Sequence, residues 1–365
     1  MQLDFFPSRR LTIYMARMFA VRILAVLVML VLVLQTLDLL GESGDILAAG
    51  NGQAQLWTYV GLRAPQLVAR FLPYSVLLAT IIMLLTLNQN SEVISMKAAG
   101  LSAHQILAPM ILTALAVAVV NFGFNERIVT RGTATLNAWQ AVRYHKIPMD
   151  SSVRTDVWMR DGDNLLYAEQ ITGTGTDMVM TNVTWYGRDQ GTIVRRTITS
   201  PRATWTGQGW RLEKPQGFDA SAATLEPETG PVVVAAQLGP REVAISRVDG
   251  DGESIFQLRH SINALNAAGR RTESLTTTWW HKLASPFSSV LMPLLGAMAA
   301  FGLARSGQLF IRALIGMALG FTYFVVDNFA TAMGNMGAYP PILAAWAPFI
   351  LFALIGEAVL IRTEE

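Results

Sequence analysis

Four histidines, His104, His145, His260 and His281, are the side chains best suited to holding a metal or moving a proton near neutral pH. They are scattered and form no HExxH or other metal-ligand spacing. GESG at 41–44 is one residue short of the GxSxG elbow that presents a nucleophilic serine, and it ends an apolar run, where a turn is expected. Asp161-Gly162-Asp163 has two of the carboxylates of a calcium loop and lacks the remaining ligands, so it also reads as a turn. Asn182-Val183-Thr184 has the form of a glycosylation acceptor, a pattern that arises easily by chance. No GxxxxGK[ST] occurs, so the chain has no P-loop of its own, and the absence of cysteine excludes disulfides and thiolate ligands or nucleophiles. No enzymatic activity, metal or cofactor is expected.

Ionisable groups inside apolar runs carry more information, because they are costly in hydrocarbon unless they face a cavity or a partner. Asp38 closes one such run, either at a membrane surface or on a cavity wall. Asp327, followed by Asn328, serves either an interhelical hydrogen bond or a polar path. Gly316 and Gly320, on the same run as Asp327, have the four-residue spacing of small residues that lets membrane helices approach closely.

The elements that must position these groups follow from composition. Of 365 residues, 52% are hydrophobic and 15% charged, against roughly a quarter charged in soluble domains. A membrane protein is expected. The net charge of +2, with no basic run interleaved with aromatics, argues against nucleic acid as a partner. A bilayer core needs about 20 apolar residues per helix, and six stretches qualify in two triplets: 16–40, 66–87, 106–124, 282–303, 310–332 and 342–361. The first is too long for a signal-peptide core and reads as a retained span. Arg9, Arg10 and Arg17 precede it, Lys97 lies between the second and third, Arg305 and Arg312 between the fourth and fifth, and Arg362 follows the sixth. That bias puts both termini in the cytoplasm, with Arg63 and Arg70 as the opposing votes.

Between the triplets, residues 125–280 read as a separate region, giving an α+β membrane protein: spans in 1–128, a central domain over 129–275, and spans in 276–365. Its middle predicts antiparallel hairpins at Asp161-Gly162, at 187–191 and at 207–209, and WRLE alternates as a half-buried strand does. Turns recurring about every ten residues suggest a sandwich, roll or barrel. Ile255, Leu258, Ile262 and Leu265 follow at helical spacing, a face expected to pack on its own domain.

The segment SEVISMKAAGLSAHQI, beginning at Ser91, is half-polar and lies between two spans. Ser91 predicts an N-cap, Glu92 suits the positive helix end, Lys97 the last turn and Gly100 a left-handed stop. A helix of about eight residues is expected, carrying Val93, Ile94, Met96 and Ala98, more apolar surface than solubility needs. It either rests on lipid headgroups or couples to a groove in a cytoplasmic ATPase, which would also account for a transport-like chain without a nucleotide site.

Three spans, a central β-domain and three more spans resemble the lipopolysaccharide export permeases, the LptF/LptG family, over nearly the whole chain. The resemblance is carried by SEVISMKAAGLS, VWMRDGDNLLYAEQI, WWHKLASPFSSVLMPLLGAMAAF and GFTYFVVDNFATAMGNMGAYPPILAAWAP in that order, and Asp327 followed by GAYPP is closer to the G-type members. It implies a cell inner-membrane permease subunit of an ABC transporter, with a periplasmic β-jellyroll and a paralogous LptF-type partner on an LptB-type ATPase dimer. Lipopolysaccharide would enter between spans one and five of opposite subunits and leave through LptC-type and LptA-type bridge proteins. The implied ATPase-coupling residues are Ser91, Glu92, Val93, Met96, Lys97 and Gly100. The implied lipid path takes in Gln35, Asp38, Arg143, Lys146, Gly316, Gly320 and Asp327. Two features depart from the family pattern: Gln35 stands where G-type members often have lysine, and Asn137 and Gln140 stand where arginines are expected, with Arg143 and Lys146 nearby. An envelope signalling or mechanotransmission protein coupled to an ATPase is the alternative, and the two full triplets of spans favour the transporter.

Overall fold

In hydrocarbon every backbone amide must find its partner within the protein, and a lone segment achieves this only as a helix. The computed structural model describes residues 7–141, 143–145, 154–173, 175–189, 193–220, 224–227, 232–240, 243, 250–267, 270–302 and 309–364. Over them the apolar runs become helices longer than the runs themselves. Helix α1 (Arg9–Ala48) has 40 residues, and α2 (Gln53–Gln89) has 37. At 1.5 Å per residue α1 is about 60 Å long, roughly twice a bilayer's hydrocarbon thickness. After the short α3 (Glu92–Ala98), α4 (Ala103–Phe124) starts with a reciprocal cap in which the Gln105 amide donates to Ser102 Oγ and the Ser102 amide to Gln105 Oε1. One π-helical turn, Asn125–Val129, leads into α5 (Thr130–Ala141).

Beyond the sheet come α6 (Ile255–Ala267), α7 (Glu273–Gly302), α8 (Leu309–Asn335) and α9 (Pro341–Glu364). Among the described residues five helices are long and apolar enough to cross a membrane: α1, α2, α4 with its extension, α8 and α9. The expected fourth span lies in α7, whose first half is rich in serine, threonine and tryptophan. This helix packs on α2, α4, α8 and α9, so much of its surface meets protein rather than lipid. There its polar groups find partners: Ser288 shares a 2.6 Å hydrogen bond with Tyr323, and Thr277 donates to the Glu273 carbonyl.

The helices close over one apolar core that includes Met15, Phe19, Met83, Leu84, Ile106 and Leu107. Small residues set the spacing. A Cβ placed on Gly334 would stand 2.5 Å from Ala344 Cβ on α9 and 2.8 Å from Thr277 Cγ2 on α7. A Cβ on Gly320 would stand 2.1 Å from Leu77 Cδ2 on α2, where Tyr74 also stacks on Phe324 at 3.8 Å.

An antiparallel sheet is inserted between the two helical groups. It runs β1 (Arg154–Asp161), β2 (Asn164–Thr172), β3 (Val179–Asp189), β4 (Ile193–Trp205), β5 (Trp210–Glu213), β6 (Gln216–Asp219), β7 (Thr224–Pro227) and β8 (Val232–Val234). The three expected hairpins form, with Asp161 opposite Asn164, Asp189 opposite Ile193 and Trp205 opposite Trp210. In WRLE, Trp210 and Leu212 are buried while Arg211 and Glu213 are exposed, as their alternation predicts. Strand β4 pairs with β6 through its first half and β5 through its second. Ser200 sits at the change-over, its hydroxyl 2.6 Å from the Glu213 carbonyl while accepting the Arg202 amide. A second core around Trp210, whose indole donates to the Leu238 carbonyl, fills the sheet's inner side. Helix α6 buries the four residues its spacing selects, Ile255, Leu258, Ile262 and Leu265, and packs on α7.

Candidate functional site

Helix α3 is seven residues long, bounded by left-handed residues on both sides. Its C-terminus is built as expected: Gly100 takes φ +85°, its amide donates to the Lys97 carbonyl, and the Leu101 amide reaches back to Met96. Its N-terminus is not. Ser91 has φ 58° and its side chain caps nothing; its carbonyl instead accepts from the amide and hydroxyl of Ser95. The left-handed turn aims the Ser91 hydroxyl away from the first amides. Glu92 is held at this end by Asn90 Nδ2 at 3.4 Å.

The apolar residues of α3 divide between two faces. Val93 is buried and Met96 packs against the same bundle core, so these two dock the helix. Ile94 is 66% exposed, and Ala98, one turn on, is exposed beside Lys97. A partner would meet Ile94 and Ala98 first, with Val93 buried and Met96 half-buried. At the adjoining corner His104 Nε2 lies 2.8 Å from Glu357 of α9.

The groups expected on a lipid path fall into three places. On α1, Asp38 is tied to α2: Arg63 donates Nε and Nη2 to its two oxygens at 3.0 Å each, and the Tyr59 hydroxyl donates to Oδ2 at 2.5 Å. Arg63 Nη1 also donates to Gln66. One turn before Asp38, Gln35 is only 8% exposed and neither of its amide atoms has a hydrogen-bond partner. On α8, Gly316 and Gly320 are both buried, and Gly320 faces α2. Asp327 meets His281 Nε2 of α7 at 3.1 Å, an interhelical contact. Arg143 is exposed with φ 48° at the end of α5, on a cleft of about 550 Å³ with Glu42, Asp45, Gln140, Tyr144 and His145. Lys146 lies outside the described residues.

Among the described residues no hydrogen bond or ion pair joins the α1 group to the α8 group; each packs on α2. Both helices leave a broad apolar face open, through Val21, Leu24, Val28 and Leu32 on α1 and Leu314, Phe321, Val325 and Phe329 on α8. Sequence reasoning missed Tyr59, Arg63, His281 and the cleft's anchor, Tyr144. Only the first pair had a signal, since Tyr59 and Arg63 are four residues apart on one helix face. Tyr144 donates to Glu42 at 2.7 Å, packs edge-on against Trp139, and receives Asn51 Nδ2 at its carbonyl. Burial and the Glu42 hydrogen bond push its hydroxyl up to about 12, so it remains a donor at neutral pH. No group of three or more histidine or acidic side chains suited to a metal ion occurs among the described residues.

The Asp38–Arg63 pair makes a direct prediction. Arg63→Ala leaves a carboxylate held only by Tyr59 and should cost about 2–3 kcal/mol, because truncating one partner strands the other charge. Thermal unfolding in detergent should show Arg63→Ala and Asp38→Asn less than additive when combined. Additive losses would mean that the pair is not coupled.

The chain is a multi-pass helical membrane protein with an inserted antiparallel sheet and open apolar flanks. The chain matches the family of the lipopolysaccharide export system permease LptF/LptG over residues 13–362, and it is a member of that family. It is 25% identical over 359 residues to the lipopolysaccharide export system permease protein LptG of Escherichia coli K12, covering 96% of each chain. Identity to the LptG protein of Haemophilus influenzae is 23% over 329 residues, covering 84% of this chain and 87% of that one.

Proposed function

We propose that this chain is the G-type permease subunit of an ABC transporter that draws lipopolysaccharide, or an equivalent outer-membrane glycolipid, out of the inner membrane and passes it to a periplasmic bridge. Both termini and α3 face the cytoplasm, and the central region 129–275 faces the periplasm between helical regions 1–128 and 276–365. Arg63, which counted against this orientation, is committed to Asp38 and contributes no free charge to its end of the bundle. The subunit carries no catalysis; an LptB-type ATPase dimer hydrolyses ATP and grips α3. A paralogous LptF-type permease covers the open faces of α1 from Leu24 onward and of α8, so that Gln35 and Asp38 of one subunit oppose the α8 wall of the other. LptC-type and LptA-type proteins receive the lipid.

The observation that carries this reading is α3: a helix docked by Val93 and Met96 that holds out Ile94 and Ala98 between Glu92 and Lys97. The unpartnered Gln35 amide supports a polar ligand or partner group beside α1. Affinity purification of the tagged chain in mild detergent should recover an ABC ATPase and a second permease of the same family. Recovery of the chain alone, from membranes where it is folded, would overturn the proposal.

A further inference from the structure

We propose that the first turns of α1 form a headgroup site for an anionic phospholipid in the leaflet on the side of the chain termini, separate from the glycolipid path. Only the naming of the leaflet rests on the orientation proposed above. Between Arg9 and Leu37 the helix carries four arginines and no acid. Arg10, Arg17 and Arg22 line a shallow groove of about 740 Å³ with Tyr14, Ile13 and Val21. Among the described residues none of the three arginines pairs with a carboxylate, and Arg22 Nη1 is buried without a hydrogen-bond partner.

The depth suits a lipid. Unbroken apolar sequence begins at Ile23, immediately beyond Arg22. Arg17 and Arg22 are five residues apart, about 7.5 Å along the axis, close to the thickness of one headgroup layer. Helical side chains lean toward the N-terminus, so both guanidinium groups point away from the apolar run and toward the headgroup layer. A guanidinium nitrogen that has lost water without gaining an acceptor is costly, and a phosphate oxygen can supply that acceptor while its neighbour takes a second N–H of the fork. Ile13 and Val21, 56% and 60% exposed, offer apolar surface at the mouth of the groove, and Tyr14 suits the interface. Three cations with no anion among the groove's lining residues select a net-negative headgroup over a zwitterionic one.

The test uses the full chain with the photo-crosslinker benzoylphenylalanine at Val21, in vesicles of equal phosphatidylcholine and phosphatidylglycerol, with mass spectrometry of the captured lipid. Phosphatidylglycerol should be captured about fivefold over phosphatidylcholine. The ratio should fall to near one in Arg17→Gln/Arg22→Gln and remain high in Arg22→Lys. Should the double variant fail to insert, Arg22→Gln alone is expected to lower the ratio to about two. A ratio near one in the unsubstituted groove, or a preference unmoved by Arg22→Gln, overturns the site. So does capture of protein rather than lipid at Val21 in native membranes. These vesicles contain no lipopolysaccharide and no partner, so the result is independent of the export reading. Sidedness is read apart, from cysteines at Ala99 and Gln208: an impermeant thiol reagent on intact cells should reach only Gln208. Labelling of Ala99 alone would move the site to the other leaflet and overturn the proposed orientation, leaving the lipid preference intact.

Discussion

Ile94→Asp should reduce recovery of the partner ATPase about thirtyfold or more while leaving the permease in the membrane. Ile94 is two-thirds exposed, and substitutions at such positions usually change stability by less than about 0.5 kcal/mol. An apolar anchor buried in a partner's pocket is worth about 2 kcal/mol or more, which is the thirtyfold, and a carboxylate in its place adds a desolvation cost. Glu92→Lys should act in the same direction by more than tenfold. It opposes the dipole at the start of α3, which costs the helix only about 0.3–1 kcal/mol, and in the proposed complex it would also remove a contact worth about 2–5 kcal/mol when desolvated. If α3 merely rested on headgroups, Glu92→Lys would improve its attraction to anionic lipid and neither change would touch the ATPase. Full ATPase recovery with both variants would remove α3 from the coupling interface.

Gly334→Val should be the most damaging single change in the bundle, costing about 3 kcal/mol. The new Cβ would meet Ala344 Cβ at 2.5 Å and Thr277 at 2.8 and 2.9 Å. None of these atoms can retreat by rotation: an alanine Cβ is fixed to the α9 backbone, and Thr277 is held in its rotamer by the hydrogen bond to Glu273. Helices α7, α8 and α9 would have to separate together. Overpacking by single methylenes costs about 1–3 kcal/mol, and valine adds three carbons at once. The unfolding midpoint in detergent should fall by roughly 5–10 °C. Gly41→Val, where nothing lies within 4 Å of the added Cβ, should hardly move it. Equal midpoints for the two variants would contradict the three-helix contact.

Features determined within a few residues were legible in the sequence. The hairpin turns, the buried face of α6 and the Gly100 stop each depend on local residue chemistry, and each forms where its residues place it. Ser91 failed by the same logic, because a left-handed backbone there redirects a side chain whose type suited a cap. Val93 and Met96 looked like partner-facing residues because their own chain supplies the covering surface from elsewhere. The polar groups were illegible in pairs: Arg63 lies 25 residues from Asp38 and His281 46 from Asp327, and no periodicity links such distances.

Helix α1 has no glycine or proline between Leu11 and Leu40, with Gly41 and Gly44 just beyond. It is therefore a stiff rod of about 45 Å ending in a softer joint. A tilt of ten degrees about the rod's middle carries each end by about 4 Å, in opposite directions. Any push applied where α1 meets α4 near the coupling corner arrives inverted at Gln35 and Asp38. Because Asp38 is tied to Arg63, a tilt of α1 should carry the adjoining part of α2 with it.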